Sequence, residues 1–233
     1  MSVRISAVVP VYRSQAMLPE LHRRLVAALE QIGRPFEILL VEDCGGDDSW
    51  SVIKQLAAAD PRVRGLRLAR NYGQHNALLC GIRAARGELV VTLDDDLQNP
   101  PEEIHRLLAR LDEGYDVVYG SPQAETHGFL RDQASRITKL ALQGAMGVDS
   151  ASKVSAFRVF RTRLRDAFAA YRSPSVNIDV LLTWGTTRFG SVLVRQDERA
   201  VGDSGYTLRK LINHAVNMMT GFSVLPLQVA SVL

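Results

Sequence analysis

Residues 88–103 read ELVVTLDDDLQNPPEE, an apolar run followed by three adjacent carboxylates and then by two prolines. The apolar run is continuous rather than alternating, which is typical of a strand buried on both faces of a parallel sheet. Asn99 before the two prolines, with Glu102 and Glu103 in the first turn, predicts the start of a helix. The segment therefore predicts a buried strand, a polar turn and a helix in immediate succession.

The same succession of strand, polar turn and helix repeats on both sides of this segment. Four further apolar runs predict strands, at residues 5–11, 36–41, 63–69 and 116–120. Helical patterns separate them, at Met17–Ile32, Asp48–Ala59, Gln74–Ala85 and Pro101–Glu113. This alternation predicts an α/β fold whose doubly wound, mainly parallel sheet is flanked by helices. Ligands bind beyond the carboxyl ends of such strands, so the chemistry is expected in the polar clusters at 42–48, 70–73 and 94–98.

A less regular pattern follows residue 121. It predicts an amphipathic helix at 131–147, a strand at 155–160, a helix near 175–185, a strand at 190–196 and a last helix from about Thr207. Neither an internal repeat nor a low-complexity linker divides the sequence. The pattern therefore predicts one domain with a C-terminal amphipathic helical elaboration.

The composition excludes several classes of protein. With 233 residues, 46% of them hydrophobic, the chain is long enough to bury a core without covalent staples. Cys44 and Cys80 are too few for a disulfide framework or a Cys₄ zinc site, so a reducing compartment is expected. The first apolar stretch is too short for a signal peptide, and no run of about 18 apolar residues predicts a membrane span.

Charge is distributed unevenly along the chain, although the formal net charge is only +3. Residues 1–130 carry 14 Lys and Arg against 18 Asp and Glu, whereas residues 131–233 carry 14 against 7. An acidic half suits a divalent metal, and a basic half suits phosphate or an anionic membrane surface. Ordinary solvated faces explain the asymmetry equally well. The basic residues are not interleaved with aromatic ones, which argues against a nucleic-acid partner.

Asp94, Asp95 and Asp96 form the strongest local signal for chemistry. Three adjacent carboxylates repel one another and need a cation or solvent to offset their charge. In an extended chain the side chains alternate, which places Asp94, Asp96 and Gln98 on one side and Asp95 on the other. Two carboxylates and an amide oxygen suit Mg²⁺ or Mn²⁺, with phosphate oxygens completing the shell. The alternative is a solvated acidic turn before a helix.

Glu42 and Asp43 end the second predicted strand, in LLVEDCGGDDSW. A carboxylate at this place can accept hydrogen bonds from a ribose hydroxyl or a base N–H. Gly45–Gly46 permit a sharp turn, and capping of the next helix alone accounts for Asp47 or Asp48. Neither a G-x-G-x-x-G nor a P-loop motif is present, which argues against a typical dinucleotide binder and a P-loop protein.

Four segments of the sequence resemble the successive signatures of the inverting glycosyltransferases called family 2. They are VVPVY (8–12), VEDCGGDDS (41–49), LARNYGQHNALLCG (68–81) and LDDDLQNPPEE (93–103). GDSGYTLRKLI (202–212) and GFSVLPL (221–227) further resemble polyprenyl-phosphate glycosyltransferases, which include the dolichol-phosphate mannose synthases and bacterial undecaprenyl-phosphate sugar transferases. RNYGQH and LDEGYDVV are most similar to the undecaprenyl-phosphate formamido-arabinose transferase branch.

This resemblance implies a GT-A fold over residues 1–206, with a nucleotide-sugar half at 1–120 and an acceptor half at 121–206. A membrane-proximal helix and apolar tail would follow at 207–233. The implied activity is inverting, metal-dependent transfer of a sugar from a UDP- or GDP-linked donor to polyprenyl phosphate, with Mg²⁺ or Mn²⁺ as cofactor, at the cytoplasmic face of the membrane. Two alternatives stay open: a family member with a glycan, protein or small-molecule hydroxyl as acceptor, and a nucleotide-sugar-binding relative without turnover.

The resemblance also implies roles for individual positions of this sequence. The nucleotide-sugar site would comprise Pro10, Tyr12, Glu42, Asp43, Arg70, Asp94 and Asp95. The metal would be held by Asp96 and Gln98, and the lipid phosphate by Arg131, Ser135 and Ser204. The catalytic residues would be Asp94, Asp96 and Arg199.

The sequence departs from the family pattern at three places. The carboxylate that often precedes the arginine of the family's x-F-R segment is replaced by Ser152 or Lys153. Pro122 and Gly205 replace an arginine and a lysine that are common in relatives. These departures affect acceptor geometry and any general base. A lipid phosphate is already an anion at neutral pH and needs little deprotonation to attack, so a missing base is compatible with this acceptor.

The segment from Leu211 to Leu233 contains no Asp, Glu, Lys or Arg. Its amides and Pro226 argue against a full membrane span, because lipid-exposed polar groups would lack partners. Arg209 and Lys210 can instead meet anionic headgroups while apolar side chains enter the interface. We expect a peripheral protein or a shortened form of a membrane-anchored one. The alternative is that this segment forms a helix packed on the sheet. A homo-oligomer also stays open.

Overall fold

The computed structural model describes residues 3–122 and 154–197. Within these residues, seven strands form one sheet in the order β3-β2-β1-β4-β6-β5-β7. The strands are β1 Ile5–Val11, β2 Phe36–Glu42, β3 Val63–Arg67, β4 Leu89–Thr92, β5 Val117–Pro122, β6 Arg158–Arg161 and β7 Phe189–Val194. The helices are α1 Leu18–Ile32, α2 Ser49–Ala59, α3 Gln74–Ala84, α4 Ile104–Asp112 and α5 Ile178–Thr183, with 3₁₀ turns at Pro101–Glu103 and Thr162–Phe168.

The strands run parallel except for β6. Parallel pairing joins β1 to β2 and β4, β2 to β3, and β5 to β7. β6 lies between β4 and β5 and pairs antiparallel with both. The predicted mainly parallel sheet is confirmed, and the one reversed strand separates β4 from β5, which follow each other along the chain.

Alternate residues of the strands supply two apolar layers, one on each face of the sheet. Ile5 and Val9 of β1 belong to a buried cluster with Leu21 and Leu25 of α1, and this cluster extends to α2 and α4. Val8 of β1 packs in a second cluster, on the opposite face, with α3 and α5. Burying one such Leu or Ile side chain contributes about 2 kcal/mol, so both layers hold the sheet in place. The doubly wound arrangement is therefore confirmed.

The predicted elements differ from the observed ones mainly at their ends. α1 ends at Gly33, which takes the left-handed conformation with a φ of 71° that glycine accepts without strain. The helix predicted from Pro101 begins with a single 3₁₀ turn before α4. The predicted helices at 131–147 and from Thr207, and the boundary between 206 and 207, lie outside the described residues and stay predictions.

No helix among the described residues is both long and apolar enough to cross a membrane.

Candidate active site

The loops that follow β1, β2 and β4 meet at one edge of the sheet, because parallel strands place their carboxyl ends together. We call this the carboxyl edge. Asp95, after β4, joins two of these loops: the backbone N–H of Tyr12 donates to Asp95 Oδ2 at 3.0 Å, and the Ser14 hydroxyl donates to the same oxygen. Burial raises the pKa of Asp95, and the charge of Asp96 adds to this, while the two hydrogen bonds oppose it. Asp95 is thus an anchor between the acidic turn and the β1–α1 loop.

The acidic turn itself is not extended. Asp94 accepts a hydrogen bond from the Gln74 side chain at the start of α3, at 2.6 Å. Asp96 accepts one from the backbone N–H of Gln98, at 3.1 Å. Leu97, between them, is buried and has a φ of 60°.

The prediction that alternation places Asp94, Asp96 and Gln98 on one side is therefore wrong in its geometry. Residues 95 and 96 form a turn, and the left-handed conformation of Leu97 ends any extended path while its side chain enters the core. Alternation of side chains applies only to extended backbone. The three neighbours of this turn, Tyr12, Gln74 and Gln98, each contact a different carboxylate.

Glu42 and Asp43 both bind loop backbone. Glu42, whose side chain is 2% exposed, accepts hydrogen bonds from the Gly45 N–H at 2.7 Å and from Arg67 Nε at 3.1 Å. Asp43 accepts the backbone N–H groups of Tyr72 and Gly73 at 2.7 and 2.8 Å. These bonds hold the 42–48 loop and the 70–73 loop in fixed positions beside the acidic turn.

The loop after β2 is also joined to the loop after β1. Asp47 accepts hydrogen bonds from the N–H and hydroxyl of Ser49, at 3.2 and 2.8 Å, and from the Gln15 N–H at 3.2 Å. The Ser14 N–H donates to the Ser49 hydroxyl at 3.0 Å. Asp47 thus accepts the N–H of the first residue of α2 from one position before the N-cap, whereas Asp48 occupies the N-cap position without a side-chain cap bond.

Two aromatic rings are exposed at the carboxyl edge. Tyr12 is 44% exposed and Tyr72 is 45% exposed. The Arg13 guanidinium lies 5.3 Å from the Tyr12 ring centroid, and the Arg70 guanidinium lies 4.7 Å from that of Tyr72. Exposed aromatic rings beside guanidiniums suit a flat, anionic ligand such as a nucleotide.

A buried ionic network lies beneath this edge, and the sequence did not predict it. Arg158, 2% exposed, donates from Nε to the Thr92 hydroxyl at 3.1 Å and pairs with Asp179 through Nη1. The Tyr119 hydroxyl donates to Asp179 at 3.0 Å, and burial raises the pKa of Tyr119. The sequence contains one indication of this network, a charged residue inside each of two apolar runs, AFRVF and IDVLL. It did not indicate that the two charges pair, because they lie far apart in sequence.

The structure gathers most of the predicted site residues. Those at the carboxyl edge are Pro10, Tyr12, Glu42, Asp43, Arg70, Asp94, Asp95, Asp96 and Gln98. Arg131, Ser135, Arg199 and Ser204 lie outside the described residues, as do Ser152, Lys153 and Gly205. Pro122 ends β5.

The oxygen donors of the acidic turn fit a hard cation only in combination with a ligand. Within residues 3–122 and 154–197, no group of three or more His, Cys, Asp and Glu side chains is placed to hold a metal ion. Asp94 and Asp96 supply carboxylates and Gln98 an amide oxygen, all of them types that Mg²⁺ and Mn²⁺ accept. A hard cation with so few protein ligands completes its shell with water and phosphate oxygens, so the set suits a metal bound with a diphosphate.

Two solved structures show the fold that this chain shares. Glucosyl-3-phosphoglycerate synthase from Mycobacterium tuberculosis, in complex with Mn²⁺, UDP and phosphoglyceric acid, has a TM-score of 0.67 at 16% identity, over 94% of this chain and 78% of that chain. Mannosyl-3-phosphoglycerate synthase from Rubrobacter xylanophilus has a TM-score of 0.65 at 19% identity, over 99% of this chain and 76% of that chain. The sheet and its flanking helices are those of a GT-A glycosyltransferase.

Sequence comparison gives the family. The profile of glycosyl transferase family 2 matches residues 6–172. Undecaprenyl-phosphate 4-deoxy-4-formamido-L-arabinose transferase from Enterobacter sp. (strain 638) is 39% identical over 231 residues, which cover 98% of this chain and 70% of that protein. The protein of the same name from Klebsiella pneumoniae is 38% identical over 230 residues, with 98% and 70% covered. The chain belongs to glycosyl transferase family 2.

Proposed function

We propose that this glycosyltransferase moves a sugar, with inversion, from a UDP- or GDP-linked donor to a polyprenyl phosphate of the undecaprenyl class at the cytoplasmic face of the membrane. The names of its relatives support the acceptor, since proteins 38–39% identical over nearly the whole chain are undecaprenyl-phosphate sugar transferases. The observation that carries the donor site is the anchoring of the acidic turn to the β1–α1 loop by Asp95, beside the exposed ring of Tyr12.

In this proposal, the nucleotide sugar binds at the loops of the carboxyl edge. Tyr12 and Arg70 offer a ring face and a guanidinium to the nucleotide, while Pro10, Glu42, Asp43 and Asp95 fix the loops around it. Asp94 lies between the anchored turn and α3, where it orients the donor. Asp96 and Gln98 would hold a divalent cation, which would neutralise negative charge on the leaving diphosphate.

The acceptor residues of the proposal come from the second half of the chain. Arg131, Ser135 and Ser204 bind the lipid phosphate, and Arg199 stabilises charge in the transition state. A phosphate anion attacks without prior loss of a proton, so the side chain of Lys153 in place of a carboxylate does not prevent the reaction. Binding of the C-terminal helix and tail at 207–233 to the bilayer brings the enzyme to its lipid substrate.

The test is a donor screen with undecaprenyl phosphate and, in parallel, a lipid alcohol of the same length, each with and without EDTA. We expect transfer to the phosphate only, and its loss in EDTA. Asp96→Asn should lower kcat at least a thousandfold, because removing a metal ligand removes several kcal/mol of charge stabilisation. Asp48→Asn, an acid of the neighbouring loop without a cap bond, is the matched control and should stay within about threefold of the wild type.

Three results would each contradict a different part of the proposal. Transfer to the alcohol favours a hydroxyl acceptor, and activity that persists in EDTA contradicts the metal. Equal losses in the two variants contradict the role of Asp96.

A further inference from the structure

A cleft lies at the opposite edge of the sheet, where β1 and β4 begin. We call it the arginine cleft; its volume is about 540 Å³. Its lining includes Arg4 before β1, Glu88 before β4, Arg161 at the end of β6, Thr162 and Arg163 directly after it, and Arg34 and Asp112. β1 has seven residues, so the cleft lies about 20 Å from the loop that carries Tyr12. It is therefore separate from the proposed transfer site.

The arginine cleft carries an excess of positive charge. Four arginines line it, Arg4, Arg34, Arg161 and Arg163, against only two carboxylates, Glu88 and Asp112. The ion pairs Arg4–Glu88 and Arg34–Asp112 are exposed, with side-chain exposures between 42 and 57%. Such exposed pairs contribute little and exchange partners readily, so their guanidiniums remain available to a stronger anion.

Arg161, the last residue of β6, and Arg163 share one counter-ion. Asp116, buried before β5, pairs with Arg161 at 3.2 Å, Arg163 at 3.1 Å and Arg188 at 2.9 Å. One carboxylate cannot neutralise three guanidiniums, of which Arg161 and Arg163 line the cleft and Arg188 does not, so positive charge remains at the cleft. The Arg163 side chain is 66% exposed, which leaves most of its donors facing water.

Thr162, between these arginines, supplies an independent observation. It lines the cleft and is 7% exposed, and its hydroxyl has no hydrogen-bond partner among the described residues. A buried hydroxyl without a partner costs free energy. Because this oxygen is enclosed, it meets a ligand oxygen in the cleft only after the Thr162 side chain rotates. Cleft volumes of 300–1,000 Å³ are usual for small-molecule sites, and about 540 Å³ lies within that range.

We propose that the arginine cleft is a second ligand site, which binds a phosphate-bearing anion. Guanidiniums bind phosphate oxygens through paired, charge-assisted hydrogen bonds, and Arg4 and Arg163 approach the cleft from opposite sides of the β4 start. The phosphate belongs either to a soluble compound or to a lipid headgroup. This site is independent of the proposed transfer reaction, because it shares no residue with the carboxyl edge.

The first probe is inorganic diphosphate, titrated calorimetrically into the full chain in EDTA, so that metal-dependent binding at the carboxyl edge does not contribute. Arg4→Gln/Arg163→Gln should weaken binding at least tenfold, since two charge-assisted contacts are lost. The charge-matched control is Arg23→Gln/Arg172→Gln, which removes two exposed arginines elsewhere and should change affinity less than twofold. The single variants, with circular dichroism, separate binding from folding.

The second probe distinguishes the source of the phosphate. Co-sedimentation with phosphatidylglycerol vesicles, and with phosphatidylcholine vesicles as a reference, is measured for the same two double variants. Weaker binding of the cleft variant to the anionic vesicles identifies a headgroup, whereas a change confined to diphosphate identifies a soluble ligand. If the cleft variant and its control bind both probes equally, the proposal is wrong.

Discussion

Asp43 and Asp95 at the carboxyl edge are compensated differently from Asp60 and Asp116 at the opposite end of the parallel strands, which we call the amino edge. At the carboxyl edge, Asp43 and Asp95 accept hydrogen bonds from backbone N–H groups, and burial raises the pKa of both. At the amino edge, bonds from Arg62 lower the pKa of Asp60 to about 2. Burial opposes a similar effect at Asp116, yet bonds from Thr186, Arg188 and Arg163 still lower its pKa.

The difference separates two physical tasks. A backbone N–H fixes the position of a carboxylate without adding net charge, so it suits loops that must present a defined surface. A guanidinium also supplies a full charge, which keeps the carboxylate ionised and leaves spare donors for other anions. The carboxyl edge is thus built for geometry and the amino edge for charge.

The largest expected effect is at Arg158, where the carboxyl edge itself uses an arginine. Arg158→Met removes the cation from a buried pair and leaves Asp179 with an uncompensated charge, so we expect a loss of about 3 kcal/mol in the free energy of unfolding. Urea denaturation measures it, with Arg172→Met, an exposed arginine, as the control. Arg158→Met/Asp179→Leu should recover part of the loss, and a single variant as stable as the control would show that the pair is not needed.

A matched pair of substitutions tests the comparison directly. Asp116→Asn removes the charge that three arginines share, and should lower the free energy of unfolding by about 2 kcal/mol. Asp95→Asn retains an oxygen that accepts from Tyr12 and Ser14, and should cost less than about 1 kcal/mol. Chemical denaturation at neutral pH gives both values. If Asp95→Asn lowers the free energy of unfolding more than Asp116→Asn does, the proposed difference between the two edges is wrong.

The last prediction concerns pH. The pKa of Asp60 is about 2 in the folded protein against an ordinary 3.8, so its ionised form stabilises the fold above about pH 4, and this stabilisation is lost as the pH falls towards 2. Asp60→Asn should therefore cost about 1 kcal/mol near pH 6, after allowance for solvent screening, and almost nothing near pH 2. Asp112→Asn, in an exposed pair, should show little change at either pH. A cost for Asp60→Asn that does not depend on pH would contradict the ion pair.

The sequence predicted those parts of the molecule that depend on neighbouring residues. Continuous apolar runs predicted β1 and β2 almost to the residue, and the acids at the ends of β2 and β4 marked the carboxyl edge. The insertion of β6 between β4 and β5 was not predictable, because the 35 residues between β5 and β6 give no local signal of where the chain returns.

Contacts over long sequence separations account for the other differences. Asp95 contacts Ser14, 81 residues away, and Arg158 contacts Thr92, 66 residues away; no periodicity in a single sequence reports such pairs. The extended backbone assumed for residues 94–98 was wrong because Leu97 takes a left-handed conformation and buries its side chain in the core.

The loop at 12–15 is bonded to both of its neighbours: Tyr12 and Ser14 donate to Asp95, and Gln15 donates to Asp47. Three loops that would each have to be ordered separately are therefore ordered together, when the chain folds. Their conformational entropy is lost at that moment and not when a ligand arrives. A nucleotide that meets this edge meets a preorganised surface, and its binding free energy is not reduced by the cost of ordering these loops.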